Sequence, residues 1–100
     1  MRITDWQDYL QRHGSLVMYA RPGETARQLR ARVEYLGVTE LANAIEAYPI
    51  RVHFDARDFA TAPPSKGDTV TIENTRRGVM SVQTVTAGPE VLAYRCGVTG

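Results

Sequence analysis

One hundred residues, 43% of them hydrophobic and 23% charged, can bury one modest core and leave no room for a second. A formal net charge of +1 carries no global signature of a general nucleic-acid binder or of a membrane-surface protein. The single cysteine, Cys96, excludes an intrachain disulfide. Neither a secretory h-region nor a membrane-length apolar run is present, so a reducing, cytoplasmic setting is the default.

In chain order, Thr4 followed by Gln7 is a capping-box pattern, and Trp6, Tyr9, Leu10 and His13 recur at helical spacing before Gly14. This predicts a helix over 5–13, too short to stand in water unless its Trp6/Tyr9/Leu10 stripe docks on something. The apolar run from Leu16 to Ala20 predicts a strand covered on both faces. After Pro22-Gly23, Leu29, Ala31, Val33 and Tyr35 alternate with Gln28, Arg30, Arg32 and Glu34, which predicts a second strand closing a hairpin. Residues 38–48 read either as a short helix over 39–47, capped by Thr39 and stopped by Pro49, or as a flexible excursion.

The stretch from Ile50 to Glu73 is the most legible. Ile50, Val52 and Phe54 alternate with Arg51, His53 and Asp55, and Val70 and Ile72 alternate with Thr69, Thr71 and Glu73. Between the two strands, Pro63-Pro64 cannot donate ladder hydrogen bonds and Gly67 tolerates a positive φ, so the chain turns there. Phe54 and Val70 are expected on neighbouring strands, facing a shared interior. Asn74 to Gly78 reads as a hairpin turn. Met80 and Val82 then share one face, with Val85 out of phase, so a bulge is expected near Gln83-Thr84. Ala87-Gly88-Pro89 turns into a last strand in which Leu92, Tyr94 and Cys96 alternate with Ala93 and Arg95. Tyr19, Tyr35 and Tyr94 fall on the apolar phase and read as core.

Six strands and a helix make a mainly β, mostly antiparallel single domain, either a β-barrel or a two-sheet sandwich. Its division is a helical segment, 1–14, and a β core, 15–100.

The chemistry of an enzyme is not recognisable in the residues. No Gly-rich phosphate loop precedes a lysine, and His13 and His53 have no ligand-spaced partners, so no metal, cofactor or catalytic residue is assigned. Ser15, Ser65 and Ser81 lack a nucleophile elbow. At a strand end, Asp55 or Asp58 reads as an acceptor of backbone hydrogen bonds in the turn, with Arg57 solvated beside them. Cys96 reads as a small buried hydrophobe.

Lys66 is the one lysine among twelve cationic side chains. Arginine's planar fork suits carboxylate or phosphate pairing, although a GC-rich genome produces the same bias. Arg30 and Arg32 share one strand face, which Arg51 and His53 extend if the two strands pair. A small nucleic-acid-binding or regulatory β-barrel module is therefore one reading of the chain.

A second reading comes from resemblance. The run formed by Ile50, Val52, Asp55, Asp58, Phe59 and then Gly67-Asp68-Thr69-Val70-Thr71-Ile72, with Met80, Val82, Val85 and Tyr94 at looser spacing, resembles the lambda-type head–tail joining proteins of long-tailed bacteriophages. The likeness covers roughly the C-terminal half. It implies a non-enzymatic virion protein of the phage neck, made in the host cytoplasm, that joins the filled head to the tail and helps close the DNA channel. It further implies a ring, usually of six copies, that is monomeric before assembly. The ring would lie between the portal or its adaptor and the tail terminator or tube, around encapsidated DNA, with no membrane. On this reading Arg30, Arg32, Arg51, Arg76 and Arg77 are interface candidates, while Gly67 and Asp68 form a structural turn. The 60–66 loop and the 74–78 turn would reach neighbours. The N-terminal half departs from the pattern, so adaptor, head closure and tail terminator all stay open as the neck position.

Overall fold

A computed structural model of the chain describes residues 3–37 and 48–99. The 38–48 excursion therefore lies outside the described residues, save for Tyr48. The elements are helix α1 (Ile3–His13) and strands β1 (Ser15–Ala20), β2 (Arg27–Tyr35), β3 (Ile50–Asp55), β4 (Thr69–Ile72), β5 (Thr75–Ala87) and β6 (Glu90–Val98). All neighbouring strands are antiparallel and close a barrel in the order β1-β2-β3-β6-β5-β4. The barrel, not the sandwich, is the solution the chain adopts.

The strands form where apolar side chains alternate, because period two puts every second residue inside. Val17 and Tyr19 of β1, Leu29 and Ala31 of β2, Val52 and Phe54 of β3, Val70 and Ile72 of β4, Val79 of β5 and Cys96 and Val98 of β6 fill the interior. Phe54 and Val70 are both fully buried, yet their strands are not neighbours. β3 pairs with β2 and β6, and β4 with β1 and β5, so the two side chains meet from opposite walls. Strand β1 is not covered on both faces either. Leu16 and Met18 point outward at 53% and 37% exposure, because nothing among the described residues overlies that wall. Tyr35 is 60% exposed at the end of β2 and is not core, whereas Tyr19 is buried and Tyr94 partly so.

Helix α1 begins at Ile3, so Thr4 lies inside it and does not cap it. Trp6 and Leu10 are buried against Leu92 and Ala93, with Tyr9, Val85 and Ala87 around them. The helix ends at Gly14, whose N–H donates to the Leu10 carbonyl at 2.9 Å. A Cβ there would lie 2.5 Å from that same oxygen, so only glycine permits the approach.

The docked helix also explains two irregularities. Val85 is out of phase with Val82 because it faces α1 on the outside of the barrel, and the ladder from Ser81 to Val85 runs without a bulge. The register shifts lie instead at Met80, where Val79 takes the core position, and at Leu92, whose extra residue lets Leu92 and Ala93 both meet the helix. The turn before β5 is Glu73-Asn74, both at positive φ (48° and 67°), and not 74–78. This is the two-residue hairpin geometry that matches strand twist. Arg76 and Arg77 consequently belong to β5.

The Asp-x-x-Asp-Phe segment is a 3-10 turn, Ala56–Phe59, that stoppers the barrel. The Asp55 carboxylate accepts from the Arg57 backbone N–H at 3.0 Å and from Arg57 Nε and Nη2 at 3.0 and 2.8 Å. Arg57 is thus ion-paired to Asp55, not merely solvated. The turn swings Phe59 inward, where its ring meets Tyr19, Phe54 and Tyr94 edge-on at 4.9, 5.3 and 5.9 Å. The Arg27 guanidinium closes over it at 4.9 Å. Burying one such ring stabilises the fold by roughly 1.5–3 kcal/mol.

Candidate interaction surface

Cross-strand partners share a face, so the registers dictate which polar side chains meet outside the barrel. One row runs Arg32, His53, Arg95, Gln83 across β2, β3, β6 and β5. The row beside it runs Glu34, Arg51, Gly97, Ser81. Glu34 sits among three basic groups: Arg32 Nη2 at 3.4 Å, Arg51 Nη1 at 3.5 Å and His53 Nε2 at 3.6 Å. Arg95 Nε donates to Gln83 Oε1 at 2.8 Å. Three guanidiniums against one carboxylate leave this wall cationic.

His53 is largely covered, and its pKa is lowered first by burial and then by Arg32, with Glu34 opposing. The imidazole is consequently neutral at neutral pH. Glu34 Oε1 and His53 Nε2 are buried without a hydrogen-bond partner, at the long separation given above. The Arg32–Glu34 and Arg51–Glu34 pairs are long and half-exposed and contribute only ~0–1 kcal/mol each, so the cluster is a poor explanation of stability. A cleft of ≈ 320 Å³ opens on the same wall, lined by Leu36, Tyr48, Arg51, Ser81, Gln83 and Arg95. Gly97 forms its floor: the Ser81 hydroxyl accepts from the Gly97 N–H at 3.2 Å, and a Cβ at 97 would lie 2.6 Å from the Tyr48 ring.

Arg30 and Arg76 fall on a different wall. The pairs Leu16 with Arg30, Gln28 with Met18, Met18 with Thr71 and Thr71 with Arg76 make an outward patch of two exposed apolar side chains edged by two arginines. Arg30 also donates to the Gly14 carbonyl at 3.2 Å. Arg77 is partly covered and donates to the Thr99 carbonyl at 3.1 Å. Of the five arginines singled out from sequence, then, only Arg32 and Arg51 share the cationic wall.

Arg95, Gln83 and Glu34 complete that wall and were not singled out. Alternation already placed Arg95 on the outer phase of its strand, but the missing step was that β6 inserts between β3 and β5.

Gly67 adopts φ 99°. The Asp68 carboxylate is buried, accepting from the Ser65 N–H at 2.9 Å and from the Tyr19 hydroxyl. The two residues also join the ladder: Gly67 N donates to the Val79 carbonyl at 3.0 Å, and Val79 N to the Asp68 carbonyl at 2.8 Å. The 60–66 loop is mostly exposed but tethered, since Arg21 Nη2 donates to the Ala62 and Pro63 carbonyls at 2.8 and 3.2 Å. Cys96 is fully buried, which pushes its thiol up to about 12. Among the described residues, no three His, Cys, Asp or Glu side chains gather as a metal site would require, and no helix is long and apolar enough to cross a membrane. Compared with models of known protein families, with curated proteins and with solved structures, the chain matches none.

Proposed function

We propose that this chain is a structural virion protein of a tailed bacteriophage, joining the DNA-filled head to the tail as one copy of a ring. The observation that carries the reading is the pair of unlike outward patches. An arginine-rich wall on β2-β3-β6 and an apolar, arginine-edged wall on β1-β4 suit head-to-tail contact between copies, which needs two different surfaces. The segment that resembles the joining proteins supplies the Phe59 stopper and the tied Gly67-Asp68 turn, a rigid frame for such surfaces. The portal or adaptor, the tail terminator or tube, and channel DNA are the partners on this reading.

The test is reconstitution. Purified protein added to filled heads that lack their joining protein, together with free tails, is expected to restore attachment, and Leu16→Glu or Met18→Glu to abolish it. No attachment with the unaltered chain sinks the joining role.

The cationic wall favours a second reading, a nucleic-acid-binding barrel. On that reading, single- or double-stranded DNA binds with a steep salt dependence that flattens in Arg51→Ala and Arg95→Ala. The joining protein binds free DNA weakly.

A further inference from the structure

A closed barrel needs no free edge, yet one strand here outruns its partner. β4 pairs only with Thr75 to Gly78 of β5, and the backbone of Val79 is taken by Gly67 and Asp68. Beyond that point β5 continues to Ala87 with β6 on one side and, among the described residues, no strand on the other. From Ser81 to Val85 the ladder with β6 is regular, bounded by the bulges at Met80 and Leu92. Every second residue along it therefore turns an N–H and a C=O outward from the sheet edge.

Natural edges of this kind are blunted by charge or proline. Ser81-Val82-Gln83-Thr84-Val85 has neither, and two of its five residues are valine. Two other overhanging ends are charged: β2 carries Arg32 and Glu34 where it outruns β1, and β6 starts at Glu90.

We propose that this edge of β5 pairs antiparallel with the same edge of a second copy, Gln83 opposite Gln83 at the two-fold axis. The register is the one centred on the regular Ser81–Val85 segment. It sets Ser81 against Val85 and Val82 against Thr84, so outward residues meet outward ones and inward residues meet inward ones. No charge opposes a like charge. Arg95 of each copy lies on β6, one strand back from the contact, where its guanidinium is held by its own Gln83. The occupant is a second copy because the edge is its own complement. The inference is independent of the neck reading, which uses two unlike patches where this contact uses one patch twice.

The experiment is a cysteine scan from Ser81 to Val85 in a Cys96→Ala background, oxidised and run without reductant, beside sedimentation velocity of the unaltered chain over a concentration series. Opposed antiparallel residues have Cα atoms about 4.5–5.5 Å apart, within disulfide range. Expected are a dimer that grows with concentration, a cross-linking maximum at Gln83→Cys, and association weakened about fivefold by Gln83→Lys with unchanged circular dichroism. A monomer at every concentration, a maximum elsewhere, or an indifferent Gln83→Lys overturns the proposal. A ring that forms without any Gln83→Cys disulfide supports the neck reading and overturns this one.

Discussion

Phe59→Ala tests the claim that a four-residue turn stoppers the barrel. The ring is 3% exposed and meets three other rings within 6 Å, with the Arg27 guanidinium over its face. Truncating a buried Phe to Ala costs ~3–5 kcal/mol, including the cavity left behind. The site lies at a barrel end, where the turn can settle partway into the space, which points to the lower half of that range. A domain of this size has only ~5–15 kcal/mol in total, so the loss is a large fraction of it. In urea, with a slope of about 2 kcal/mol per molar, the midpoint moves down by roughly 2 M. In a thermal scan the fall is roughly 15–30 °C. Phe59→Leu restores the apolar volume and removes only the edge-on ring contacts, so it costs about 1–1.5 kcal/mol. Circular dichroism and Trp6 fluorescence follow both variants. A Phe59→Ala loss below about 1 kcal/mol, or a Phe59→Leu as damaging as the alanine, would refute the stopper.

Three further outcomes are expected. Burial holds the Cys96 thiol protonated in the folded chain to about 12, against an ordinary value of 9.0, so the unfolded chain loses this proton first. Stability then falls by about 1.4 kcal/mol per pH unit above pH ~9, and Cys96→Ala removes that slope until Tyr19, also raised by burial and by Asp68, adds its own near pH ~10. His53 has the opposite sign: its folded pKa is lowered, so the unfolded chain binds the proton more tightly. Stability declines as pH drops below about 6.5, and His53→Gln flattens that limb of a denaturation series. Finally, Gly97→Ala drives a methyl into the Tyr48 ring and the Ser81 hydroxyl and costs about 1–3 kcal/mol of overpacking; an unchanged urea midpoint would mean that Tyr48 moves freely aside.

What could be read from the chain depended on the range of the interaction. Period two placed Val52, Phe54, Val70 and Ile72 inside, and Gly67 at its positive φ, because alternation and turn chemistry are local. Strand order is not local. Nothing near Phe54 or Val70 says that β6 and β5 come between their strands on one side of the ring and β2 and β1 on the other. The Val85 phase break had two local solutions, a bulge or a second buried face, and only the docked Trp6 and Leu10 decide between them. Asn74 was visible as a turn residue, but Glu73 at positive φ was not, since glutamate, unlike Asn or Asp, seldom adopts it. The cationic wall was half legible for the same reason: Arg32 and Arg51 lie on strands that pair in sequence order, whereas Arg95 joins them by a crossover.

The β1–β4 junction carries a consequence of its own. Only Met18 to Ala20 meet Thr69 to Thr71 there, three pairings that join parts of the chain about fifty residues apart. Such a short, distant zipper is expected to form late in folding, because loop closure must be offset by only three pairings. The Tyr19–Asp68 hydrogen bond fastens it from inside, like a latch on a hinged lid. Amide protons along this line should exchange by opening of the latch alone, ahead of those on β3 and β6, so the cylinder unrolls from one particular side.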